Sequence, residues 1–169
     1  MDNKVSFGLT LIRVALGLML ATHGLNKVFG KGGIQGTAGW FEALGLRPGY
    51  FHACVAAATE IGAGLLMCVG LLFPLPSAAF VGLMVTATLT DHRGKGFFVF
   101  KGGWEYTALI AVIAAAVGFT GPGQWSLDHA AGIHTGGWGW GVAAVLVGLV
   151  AGIGTVAVFR RPVVRENPS

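Results

Sequence analysis

Charge is what this sequence has least of. Only 11% of its 169 residues are Asp, Glu, Lys or Arg, against roughly 25% in soluble domains. With 54% hydrophobic residues and a mean hydropathy of +0.71, so few charges could not cover a soluble core of this size. Intrinsic disorder is excluded by the same numbers, because it needs low hydrophobicity and high charge. Metal-ligand spacings are missing too: no HxxxH, CxxC or carboxylate-x-x-His pattern occurs, so no metal site is expected. The two cysteines, Cys54 and Cys68, stand about 21 Å apart on one helical segment. They cannot bridge, which excludes an intrachain dithiol mechanism. Strand alternation of the membrane-barrel kind is absent, as is a Gly-X-Y period. What is abundant is glycine, 29 residues, as expected where membrane helices pack closely.

These features predict an all-α, polytopic membrane helical bundle. A crossing needs about 20 apolar residues, and candidate spans fall at 7–28, 53–73, 76–91, 104–120 and 138–159. The third and fourth are short, and Pro74 and Pro76 bracket a tight hairpin. The first is read as a retained helix and not a secretory signal, since Arg13 interrupts its apolar run and no small-x-small cleavage site follows. Five spans gather Lys27, Lys31, Arg47, Arg93, Lys95, Lys101, Arg160, Arg161 and Arg165 on one side and leave Lys4 on the other. The positive-inside rule then puts the C-terminus in the cytoplasm and the N-terminus outside. The net charge of +4 is accounted for by that topology, and no nucleic acid is implied.

Ionisable side chains within spans are costly and usually face a bundle interior or a cavity. Arg13, His23 and Lys27 lie in the first span, Glu60 in the second, Asp91 and His92 end the third, and Glu105 with Tyr106 opens the fourth. Antiparallel connectivity brings all but Arg13 toward one membrane face, as a polar pocket. Small residues flank Arg13 on the first helix and Glu60 on the second, which points both inward; an Arg13–Glu60 pair is the expected contact. Read structurally, such a pair only specifies the fold, and Asp91, His92 and Glu105 are solvated helix ends. His52, His129 and His134 are expected at the surface. Haem ligation would need two histidines at matching depth on different helices; His23 and His92 are the one such couple, and haem is not expected.

Two loops should cover the pocket. In 34–46, Thr37 can cap a short interfacial or re-entrant helix carrying Trp40, Phe41 and Leu44 and ended by Gly45. The 93–103 loop alternates basic and aromatic residues, which suits a headgroup-level lid or a partner contact through Arg93, Lys95 and Lys101. On the fifth span Gly137, Gly141, Ala144, Gly148, Gly152 and Thr155 form a small-residue stripe. It serves either packing within the chain or a homo-oligomer.

In order along the chain, R13-V-A-L-G-L-M-L, H23-G-L-N-K27, G36-T-A-G-W-F-E-A-L-G-L, T59-E60-I-G-A-G-L-L, G102-G-W-E105-Y106 and T120-G-P-G resemble the DoxX family of small bacterial membrane proteins. The resemblance covers roughly 7–128. It implies a four-helix unit over 1–128, with 129–169 as an added fifth helix and basic tail, in a bacterial plasma membrane. It further implies a place beside redox systems, since relatives include a membrane subunit of an archaeal thiosulfate:quinone oxidoreductase and a mycobacterial type tied to superoxide dismutase and a sulfurtransferase. The family's recurring positions match Arg13, His23, Lys27, Glu60, Glu105 and Tyr106, the expected ligand-binding set. The leading expectation is a redox-system subunit that holds a quinone or another small amphipathic molecule. The alternative is a non-enzymatic anchor that recruits soluble redox enzymes through its basic loops. Transport is less favoured, because no inverted repeat or broken helix pair is visible. No catalytic constellation is present, so autonomous catalysis is not expected, and membrane lipids are the expected surroundings.

Overall fold

The computed structural model describes residues 2–162; Arg165, counted above in the basic tail, lies outside the described residues. Among the described residues the fold has seven α-helices: α1 (Asn3–Phe29), α2 (Gly33–Ala43), α3 (Gly49–Val69), α4 (Pro74–Leu89), α5 (Glu105–Thr120), α6 (Leu127–Ala130) and α7 (Trp138–Phe159), with a 3-10 turn at Val99–Lys101. Among the described residues there is no strand, only an isolated bridge between Leu46 and Arg160. α1, α3 and α7 are long and apolar enough to cross a membrane, while α4 and α5 have 16 residues each, about 24 Å of helix.

The helix ends follow local chemistry. Asp2 caps α1 by accepting from the Lys4 amide, and Pro74 takes the first turn of α4, where its missing N–H costs nothing. Between α3 and α4 the chain reverses through Gly70 at φ +67, the tight hairpin that the prolines predict. The short helix before α3 is present, but its cap differs from expectation. α2 begins at Gly33, behind Gly32 at φ +86, so Thr37 sits inside the helix. Its hydroxyl donates instead to the carbonyls of Gly33 and Lys27, at 3.1 and 3.3 Å. The glycine pair turns the chain sharply out of α1, and the helix starts one turn earlier than a threonine cap would allow.

Close packing explains the glycine excess. At the α1–α3 crossing, a Cβ on Gly17 would collide with the Gly64 carbonyl, and one on Gly64 would lie 2.6 Å from that of Gly17. The fifth-span stripe packs within the chain: a Cβ on Gly148 would meet the Ala78 carbonyl at 2.7 Å, and one on Gly152 would meet the Gly82 carbonyl at 2.7 Å. α4 therefore occupies the surface that a second copy would need for contact through those glycines. Leu16, Leu20, Met67, Phe73, Phe80, Ile110 and Val117 fill the core. α1 packs chiefly on α3, and α4 on α7 and α5, whereas α1 and α5 touch little. The space left between these two groups positions the site.

Candidate ligand-binding site

Arg13 and Glu60 do not meet. Against α3 the α1 register sets Gly24 beside Glu60, and Arg13 beside Gly70, some ten residues or about 15 Å further along. The direction of the side chains widens this gap. Helix side chains lean toward their own N-terminus, and α1 and α3 are antiparallel, so the two groups lean to opposite ends of the bundle. For the same reason Lys27, near the end of α1, leans back toward Glu60 and pairs with it. Its Nζ lies 2.8 Å from Oε1 and 2.7 Å from Oε2, with the side chains only 13% and 10% exposed. The expected Arg13–Glu60 contact is thus corrected to Lys27–Glu60.

Arg13 instead belongs to a second polar cluster at the opposite end. It is 1% exposed; its Nη2 donates to the Trp125 carbonyl at 2.6 Å and to Thr10 Oγ1 at 3.2 Å, and its guanidinium lies 6.0 Å from the Phe73 ring centre. Beside it Asp128, fully buried, accepts from the Leu72 and Phe73 amides at 2.8 and 3.0 Å and from the Thr135 hydroxyl at 2.6 Å. Together they fasten the 121–137 connection onto the bundle. Asp128 was not singled out from sequence. The available signal was Ser126, which caps α6 by accepting from the His129 amide, with an acidic residue in the first turn behind it.

The cavity opens at the other end, toward the Lys27–Glu60 pair. It encloses about 650 Å³ and takes its walls from α1, α2, α3, α4, α5 and α7, within the range usual for small-molecule sites. Leu20, Val55, Leu83, Met84, Ile110 and Val147 make it apolar along its length. At its polar head stand His23, Lys27, Glu60, Asp91, His92 and Tyr106. Of the expected ligand-binding set it brings together His23, Lys27, Glu60 and Tyr106, and leaves out Arg13 and Glu105. Glu105 accepts from the Val99 amide at 3.0 Å and so holds the 97–101 turn. The aromatics of that turn, Phe97, Phe98 and Phe100, are exposed.

Hydrogen bonds fix the orientation of the two head histidines. His23 Nδ1 lies 2.8 Å from the Met19 carbonyl and His92 Nδ1 lies 2.6 Å from that of Gly102. A carbonyl only accepts, so each Nδ1 carries the proton and each Nε2 of a neutral ring presents a lone pair. Tyr106 donates its hydroxyl to Met19 Sδ, a bridge from α5 to α1 across the cavity. Asp91 accepts from Lys95 at 3.2 Å, an i,i+4 pair in which Lys95 stays exposed.

His52 is a further correction. Expected at the surface, it is 6% exposed and lines the cavity. Its ring packs 4.7 Å from that of Phe159 at the end of α7, and its buried Nε2 has no hydrogen-bond partner among the described residues. α7, read from sequence as a packing helix, supplies a cavity wall through Val147, Ala151 and Thr155.

A family model described as DoxX matches residues 8–93. The match takes in His23, Lys27 and Glu60 as well as Arg13, and stops short of Glu105, Tyr106 and α7. Comparison with curated proteins and with solved structures returns no match.

Proposed function

The chain belongs to the DoxX family and is a membrane protein, and from that premise we propose that it serves a redox system by holding a quinone or a similar small amphipathic molecule in the cavity between α1–α3 and α4–α5–α7. One observation carries this reading: a long apolar chamber ends in a head of oriented donors and acceptors. The ammonium of Lys27 has three protons, and two are spent on Glu60. The third can donate to a ligand carbonyl, and the Nε2 of His23 or His92 can accept a proton from a hydroquinone hydroxyl. Full oxidation to the quinone releases two protons, one to each of these Nε2 atoms, and two electrons, which pass to a partner redox protein; in reverse the two imidazolium groups return their protons to the quinone oxygens. The apolar slot takes the tail.

In this reading the protein crosses the bacterial plasma membrane five times, α4 and α5 being its short spans, and the cavity head faces the basic, cytoplasmic side. α7 adds a helix to the family unit and completes the cavity wall. The test is ligand content of protein extracted with its own lipids. A bound quinone lost on Glu60→Gln but kept on Glu105→Gln supports the site; a quinone kept in both sinks it.

A second reading, an anchor that recruits soluble oxidoreductases, is favoured by the exposed aromatic turn at 97–101 beside Lys101. Reversing Arg93, Lys95 and Lys101 to Glu should then release a redox partner in pulldowns. An unchanged pulldown would count against it.

A further inference from the structure

The basic end of the bundle holds a second recess, of about 620 Å³, walled by the end of α2, by Arg93 and by the last turn of α7 with Arg160 and Arg161. No carboxylate lines it among the described residues. Arg160 is held in place by backbone: its Nε donates to the Leu44 carbonyl at 3.4 Å and its Nη1 to the Leu89 carbonyl at 3.3 Å. Those acceptors are the orphan carbonyls that close α2 and α4. The Arg161 amide donates to the Gly45 carbonyl at 2.8 Å, which fixes the root of the second side chain. Three helix C-termini converge here, each carrying about half a negative charge. Three guanidinium groups exceed that sum, so among the described residues the recess keeps a positive excess and several N–H donors without a partner.

What leads to the recess identifies the ligand. Below it, α7 turns Leu146, Val150 and Ile153 outward, 55%, 72% and 52% exposed, one apolar strip at helical spacing. From Trp138 to Phe159 the helix has no charged residue. An apolar strip that ends in a cup of arginines matches a molecule with acyl chains below and an anionic phosphate above, and guanidinium binds phosphate in a two-pronged geometry. We infer that Arg93, Arg160 and Arg161 bind the phosphate of an anionic phospholipid whose chains lie along the outer face of α7.

The test is equilibrium retention of radiolabelled phosphatidylglycerol by the full-length protein in detergent. Arg160 is left intact because its loss would also free two carbonyls. The double variant Arg93→Gln/Arg161→Gln should bind phosphatidylglycerol about thirty-fold more weakly. The control Lys31→Gln/Lys101→Gln, with the same charge change outside the recess, should stay close to wild type, and phosphatidylcholine should be retained poorly by all three. An unchanged affinity in the arginine variant, or equal losses in both doubles, overturns the proposal. So does displacement of the lipid by inorganic phosphate alone, which would assign the recess to the free ion.

Discussion

Removing either partner of the Lys27–Glu60 pair should be far more harmful than removing both. The pair makes two charge-assisted bonds, at 2.8 and 2.7 Å, with side chains 13% and 10% exposed. Lys27→Met leaves a buried carboxylate facing an apolar chamber, and Glu60→Leu leaves a buried ammonium. Breaking such a pair from one side costs about 3–5 kcal/mol, whereas replacing both ions by apolar groups of similar volume is often neutral or stabilising. The double variant Lys27→Met/Glu60→Leu is therefore expected within about 1 kcal/mol of wild type. Coupling between the sites should then exceed about 3 kcal/mol, well beyond the scatter of double-mutant cycles. Equilibrium unfolding in mixed micelles, followed by circular dichroism, measures all four corners. A coupling below about 0.5 kcal/mol, the level of independent sites, would refute the reasoning and return Lys27 to the solvent.

Other consequences are testable separately. Gly148→Val should destabilise by about 1–3 kcal/mol through overpacking, since its Cβ would meet Val81 Cβ at 2.7 Å; Gly154→Ala, with nothing within 4 Å, should not, and thermal melts compare the two. Asp128→Ala leaves the Leu72 and Phe73 amides without their acceptor, at about 1–3 kcal/mol for each amide that stays buried and unpaired. Hydrogen exchange at 71–73 and proteolysis within 121–137 should both accelerate. Glu105→Ala frees the Val99 amide, so protease cuts at 97–101 should increase while ligand content stays constant; a parallel loss of ligand would place Glu105 in the site after all.

Much of this architecture is legible in the sequence because it rests on periodicity. The 138–159 apolar run is α7 to the residue, and the small residues around Gly17 and Gly64 mark the α1–α3 crossing. The direction of Arg13 was also within reach, for the lean of helix side chains toward their N-terminus separates Arg13 from Glu60 and draws Lys27 to it. Depth alone was a poorer guide than depth with direction. His52 and Asp128 are different. His52 packs under Phe159, more than a hundred residues later, and Asp128 finds its amides at Leu72 and Phe73. Neither partnership has a local signature, since both depend on where non-adjacent elements come to rest.

The most direct test of the cavity as a ligand site is native mass spectrometry, paired with an absorption spectrum, on protein extracted with its own lipids. Wild type should carry a small-molecule adduct with a quinone spectrum, and the folded Lys27→Met/Glu60→Leu variant should have lost it. An empty wild-type protein, or the same adduct at the same occupancy in the double variant, would contradict the assignment.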